Sequence, residues 1–113
     1  MKVIRLEEAV PYQASKHFGA YTMHMQHKNL GAAAPFWVGC SYYLPGGEAE
    51  WDATPFHKVY VVLDGEMTVS TEEGEVVLHP LDSVYLAPNE RREARNDTNR
   101  VATMLTVLTY PAE

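Results

Sequence analysis

One cysteine in 113 residues, Cys40, excludes an internal disulfide framework and a thiolate zinc site. It sits in the apolar run from Phe36 to Leu44, where a free thiol reads as a packed core group rather than a nucleophile. Basic residues are scarce: nine Lys and Arg against fifteen Asp and Glu leave a formal charge of -6. Without a clustered cationic surface, no nucleic-acid partner is expected. Arg91, Arg92 and Arg95 form the one basic cluster, with Glu90 and Glu93 among them, and it suits a solvated strand edge or a subunit contact. No apolar run approaches the length of a membrane helix, and the first eight residues lack the apolar core of a signal peptide. A cytoplasmic protein with no membrane partner is the expectation. Paired cysteines, a Gly-rich phosphate loop, a dinucleotide fingerprint and a Ser-His-Asp order are missing too, and Gly46-Gly47 reads as a turn.

What is present is the composition of a folded globule, 46% apolar and 21% charged, at a length that suits a single domain spanning 1–113. Short runs of β-branched and aromatic residues recur between Gly, Pro, Asn and Asp. They predict strands at 3–6, 20–26, 36–44, 49–52, 57–63, 66–71, 75–78, 83–86, 92–96 and 102–108. Turns are expected between them, among others at Pro45-Gly46-Gly47, Asp64-Gly65 and Pro88-Asn89-Glu90, with one short helical turn allowed within Tyr12 to Phe18. Many short antiparallel strands without long crossovers predict an all-β jelly roll, two sheets closing around a pocket.

The stretch from Gly46 to Asp97 carries a more specific pattern. Gly46, Asp52-Ala53-Thr54, Lys58 and Gly65 are spaced as in the first of two motifs of the cupin family, and Asp82, Pro88, Glu90, Glu93 and Asp97 as in the second. Sixteen residues separate Gly65 from Asp82, enough for a short hairpin between the motifs. The chain therefore resembles a small cupin over about its C-terminal two-thirds. That resemblance implies a jelly-roll β-barrel with an interior small-molecule site, and association as a homodimer.

In typical members of that family the positions of Asp52, Thr54, Lys58 and Glu93 would carry two histidines, a glutamate and a third histidine holding a divalent transition metal. Here a lysine replaces an anionic ligand and a threonine hydroxyl is a poor donor, so the resemblance implies a degenerate site with no metal in that place. Asp52, Lys58 and Glu93 are expected close together, the ammonium lying between the carboxylates. They are the candidate catalytic residues: Lys58 would supply the positive charge a metal supplies elsewhere, stabilising an enolate, a carboxylate or an oxyanion, while Glu93 or Asp52 moves a proton. Alternatively the trio is an ion-pair plug left after decay of the metal site.

Tyr60 lies two residues past Lys58 on the same strand face, and Thr54 shares a face with Asp52, so both are candidate substrate-binding groups. His24 is expected to reach the pocket from an early strand. His57 points away from Lys58's face unless a bulge after Pro55 turns it inward. These two histidines are the remaining substrate-binding candidates. A rebuilt metal site of His24, His57, Asp52 and Glu93 is the competing arrangement, with donors that suit zinc, iron or manganese. His17 and His79 read as loop and strand-end residues. Three functions are compatible with this pattern: a metal-independent lyase, isomerase or decarboxylase acting on a small carbonyl or carboxylate compound, a non-catalytic metabolite-binding sensor, and a metal-dependent enzyme with rearranged ligands.

Overall fold

A computed structural model describes residues 1–111, so the last two positions of the expected 1–113 domain lie outside the described residues. Nine strands form in chain order: β1 (Val10–Tyr12), β2 (His17–Gln26), β3 (Phe36–Asp52), β4 (Lys58–Asp64), β5 (Met67–Thr71), β6 (Gly74–Leu78), β7 (Ser83–Leu86), β8 (Arg92–Arg95) and β9 (Ala102–Thr109). All pairings are antiparallel, along the path β6-β5-β8-β3-β9-β4-β7, with β2 added to β3 and β1 to β2. The strands curl into a nearly closed jelly-roll barrel, as expected.

β3 makes the two sheets one structure. Phe36 to Tyr43 pair with β9, whereas Glu48 to Asp52 pair with β8, so a single strand crosses from one wall to the other. The crossing is at Pro45-Gly46-Gly47, predicted as a turn and present as a bend inside a continuous strand. Gly46 takes φ +79°, and a Cβ on Gly47 would sit 2.3 Å from the Gly19 carbonyl oxygen, so the bend requires glycine for both dihedral freedom and close approach. At the N-terminus the predicted strand at 3–6 is absent: Leu6–Glu8 is a single 3₁₀ turn and the first strand starts at Val10. The Tyr12 to Phe18 segment is not helical but the connection from β1 into β2, turning at Ser15-Lys16.

Alternation along the strands separates core from surface. Tyr43, Tyr60, Val62, Met67, Val69, Leu86 and Met104 are nearly or fully buried and pack into one cluster. Cys40 is buried and unpaired, and burial pushes its thiol pKa up. Asn96 is fully buried; its side-chain amide donates to the carbonyls of Tyr43 (3.0 Å) and Arg100 (2.6 Å), while its oxygen accepts from the Thr98 backbone N–H (3.0 Å). This knot ties the end of β8 to β3 beside the Gly46 bend, where the Gly46 and Asn96 backbones are also bonded (2.9 Å). Asn96→Ala leaves two carbonyls without that donor in a dry site and is expected to cost about 2–3 kcal/mol, read as a lower urea midpoint at unchanged slope. A loss below about 0.5 kcal/mol would show that the knot does not hold the strands together.

Candidate functional site

The barrel holds a partly open cavity of about 250 Å³, walled by β3, β4, β8 and β9 and flanked by β1, the start of β2 and the Gln13–Ser15 connection. Strand alternation sets its chemistry. Lys58 opens β4 and is 2% exposed, and Tyr60 follows two residues later on the same inner face at 4%. The Lys58 Nζ and the Thr54 Oγ1, both lining the cavity, have no hydrogen-bond partner among the described residues. Burial, reinforced by the neighbouring Arg92 guanidinium, pushes the Lys58 pKa down to about 8 against the opposing pull of Asp52 and Glu90.

Arg92 opens β8 opposite Asp52, is 5% exposed, and is the second cation of the wall. Its Nε donates to the Tyr60 hydroxyl and its Nη1 to the Glu50 carbonyl, both at 2.8 Å. The Asp52 carboxylate accepts from the Ala53 N–H at 2.9 Å and lies 3.7 Å from Lys16 Nζ. Its pKa is lowered, first by that backbone hydrogen bond and then by the surrounding cations.

Glu93 is not part of this cluster. Its neighbours Arg92 and Ala94 are buried inward, so Glu93 projects to the outer face, where it accepts from Arg95 Nη1 at 2.7 Å. Arg95 is further bonded there to Asp97 and Glu75. The expected Asp52–Lys58–Glu93 trio is therefore corrected to Asp52, Lys58 and Arg92. The cause is a turn one residue shorter than the aligned motif: Asn89, at φ +64°, takes the glycine-like position directly after Pro88, and every later residue shifts by one. Arg92 then occupies the third-histidine position, and the buried Asn96, rather than Asp97, the asparagine position.

The histidines also sort differently from expectation. His57 points outward and shares a 2.7 Å hydrogen bond between Nδ1 and the Tyr85 hydroxyl, so it does not reach the pocket. His24 stands behind the wall, stacked between Tyr12 at 4.0 Å and His27 at 3.9 Å and edge-on to Trp37 at 5.0 Å. It supports two cavity aromatics without lining the cavity, and the rearranged quartet of His24, His57, Asp52 and Glu93 is not brought together. His17, read from sequence as a loop residue, opens β2 and lines the cavity. Its Nδ1 lies 2.7 Å from the Ser15 carbonyl oxygen. A carbonyl only accepts, so Nδ1 carries the proton and neutral His17 keeps Nε2 as an acceptor. Burial lowers its pKa and favours that neutral form. Tyr12, pushed up to about 12 by burial, Tyr43 and Trp37 complete an aromatic wall.

Arg92 was missed because a basic cluster interleaved with glutamates reads as surface; the literal asparagine at 96, four residues on, was the signal that could have placed it. The structure puts one carboxylate, one hydroxyl and two cations where the fold family holds a metal. That donor set does not fit a divalent transition ion: neither guanidinium nor ammonium ligates, and the unpartnered Nζ occupies the donor space.

The cupin domain family model matches residues 41–108. A curated relative, β-D-galactosidase Rv1717 of Mycobacterium tuberculosis (strain ATCC 25618 / H37Rv), is 44% identical over 111 residues, covering 98% of this chain and 96% of the relative. The polyketide cyclase RemF from Streptomyces resistomycificus superposes with a TM-score of 0.83 at 13% identity, covering 96% of this chain and 79% of that one. An RmlC-like cupin from Shewanella frigidimarina NCIMB 400 superposes at 0.80 with 16% identity, over 100% and 94% of the two chains. These structural likenesses speak for the backbone, and together with the sequence match they establish that the chain belongs to the cupin family.

Proposed function

We propose that the barrel cavity is the active site of a metal-independent enzyme acting on a small, hydroxyl-rich substrate of the sugar class. The observation that carries this reading is the buried, unpartnered Lys58 ammonium on the cavity wall beside Arg92. A fixed cation in a water-poor site stabilises negative charge developing on a substrate oxygen far better than it would in water. Walls of Tyr12, Trp37 and Tyr43 with a few convergent polar groups are what small-molecule sites use, and the volume matches a monosaccharide-sized ligand.

Galactosides are the first class to assay, because the relative sharing 44% identity over nearly its whole length is named a β-D-galactosidase. Glycoside hydrolysis ordinarily uses two carboxylates, and among the described residues Asp52 is the one carboxylate lining this cavity. Lys58, with a pKa near neutrality, takes the place of the acid: its ammonium donates a proton to the departing glycosidic oxygen. Asp52, held ionised, supports the cationic sugar ring, and neutral His17 accepts the proton of the attacking water. The same three groups suit proton transfer next to a sugar carbonyl, with Lys58 stabilising the enediolate and His17 as base. That isomerase reading is favoured specifically by the single carboxylate.

Lys58→Met is expected to lower kcat on a nitrophenyl β-galactoside, or on the aldose that turns over, by about 10²–10³-fold. Unchanged turnover would sink the role of Lys58. Dialysis against a chelator, with metals quantified per chain before and after, is expected to leave the rate unchanged; activity that tracks a retained transition metal overturns the metal-independent reading.

The charge state of Lys58 sets a second expectation. Its pKa is about 8 in the folded protein and near 10.5 unfolded, so between these values the unfolded chain binds more protons and wild-type stability rises with pH. The full penalty of the buried cation stands below pH 8 and is gone by pH 10.5. Lys58→Met is thus expected to be more stable than wild type at pH 7 by roughly 3 kcal/mol, the gain shrinking as pH rises through that window. A difference independent of pH, in denaturant melts from pH 7 to 10, would rule out a desolvated ammonium.

A further inference from the structure

We propose, building on the sugar-enzyme reading of this cavity, that its substrate carries a carboxylate seated between Lys58 and Arg92: an acidic sugar, that is a uronic acid or its glycoside, rather than a neutral hexoside. Among the described residues the cavity's formal charges are two cations against one anion, and the anion is already engaged. Asp52 is bonded to the Ala53 amide and lies close to Lys16, outside the Lys58–Arg92 pair. Glu90, which also acts on Lys58, receives the Ala87 N–H at 2.9 Å. Neither carboxylate makes a hydrogen bond to Lys58 Nζ. A neutral hydroxyl accepts a hydrogen bond from an ammonium but leaves its charge uncompensated in a low-dielectric site, whereas a carboxylate satisfies both.

The donors are set for a planar two-oxygen acceptor. Arg92 spends its Nε–H on Tyr60 and one Nη1–H on the Glu50 carbonyl, which leaves both Nη2 hydrogens and the second Nη1 hydrogen for a ligand. Because the Tyr60 hydroxyl accepts from Arg92, its own proton is free to be donated to a ligand. Thr54 Oγ1, without a partner among the described residues, adds a fourth donor beside Lys58. The described cavity lining contains neither α-helix nor glycine, so no backbone N–H cradle adds to these side-chain donors as it would in a phosphate site of the helix-start or glycine-nest kind.

The test is calorimetric titration of wild type, Lys58→Met and Arg92→Lys with D-galacturonate, D-galactose and pyruvate. Lys58→Met removes an uncompensated buried charge and Arg92→Lys keeps the charge, so the pair guards against a variant that fails to fold. Galacturonate is expected to bind wild type at least about tenfold tighter than galactose, and that preference to collapse in Lys58→Met and weaken in Arg92→Lys. At pH 8.5 a bound anion returns Lys58 to its charged form. Galacturonate binding should therefore take up a proton, seen as a heat that varies with buffer ionisation enthalpy, and galactose binding should not. Equal affinity for the two sugars overturns the carboxylate seat and leaves the sugar reading standing. Preference kept in both variants overturns it likewise. Pyruvate binding with neither sugar overturns the sugar assignment of this inference and of the reading it builds on, and no binding of any of the three overturns the seat.

Discussion

A cation buried without a hydrogen-bonded counterion is the constraint around which this barrel is organised. A lysine at 2% exposure costs stability unless something nearby offsets the lost hydration, and here only through-space attraction to Asp52 and Glu90 does so, while Arg92 opposes it. The surrounding structure is built to hold that unfavourable arrangement. Lys58 sits where β4 is clamped between β7 and β9, with Leu86 and Leu108 as its register partners, so the strand cannot rotate the side chain to solvent without breaking two ladders. Arg92 is fixed on the facing wall by Tyr60 and the Glu50 carbonyl. Local cost retained at one place in an otherwise consistent fold is the observation on which the proposed site rests.

How far the sequence discloses this depends on whether the relevant signal is periodic or a matter of register. Periodic signals came through. Alternation put Lys58, Tyr60 and Val62 on one face, the family resemblance turned that face inward, and the structure buries all three. The hairpin from Met67 to Leu78 was plain from Glu73-Gly74 between β-rich runs, and the all-β class followed from many such segments. Register signals did not come through. Glu93 and Arg92 differ by one position, and in a strand one position exchanges the inside for the outside. The alignment placing Glu93 inward assumed a full-length turn after Pro88, while Asn89 in the left-handed region closes that turn one residue early. One outward-looking arginine and one glutamate, Arg95 and Glu93, balance each other on the outer face as the sequence cluster suggested, but Arg92 does not share their fate.

The N-terminal third was least legible for a different reason. Val3 to Leu6 has strand-like composition yet forms no strand, whereas β1, Val10-Pro11-Tyr12, contains a proline that composition rules count against a strand. It is tolerated because β1 is an edge that pairs only with β2. That edge flanks the cavity, bringing Tyr12 to its mouth and leading through Ser15 into His17. No local rule connects residues 12–17 with residues 52–60; only closure of the barrel does, which is why His17 went unrecognised while Lys58, expected as the fixed charge of the pocket, did not.

A site built on lysine and arginine, as proposed for this cavity, responds to its surroundings differently from one built on a metal. A bound divalent ion keeps its charge across the physiological range and organises several ligands at once. The Lys58 ammonium instead carries a charge that can be donated as a proton, and its pKa of about 8 places the change close to neutrality. A ligand that brings negative charge raises that pKa and a neutral one does not, so charge and proton transfer become coupled through one atom. The backbone is shared with proteins of 13–16% identity, and a shared fold leaves the chemistry to the residues that face its interior. The 44% identical relative is therefore informative beyond the barrel only to the extent that it keeps Lys58, Arg92, Asp52 and His17 together.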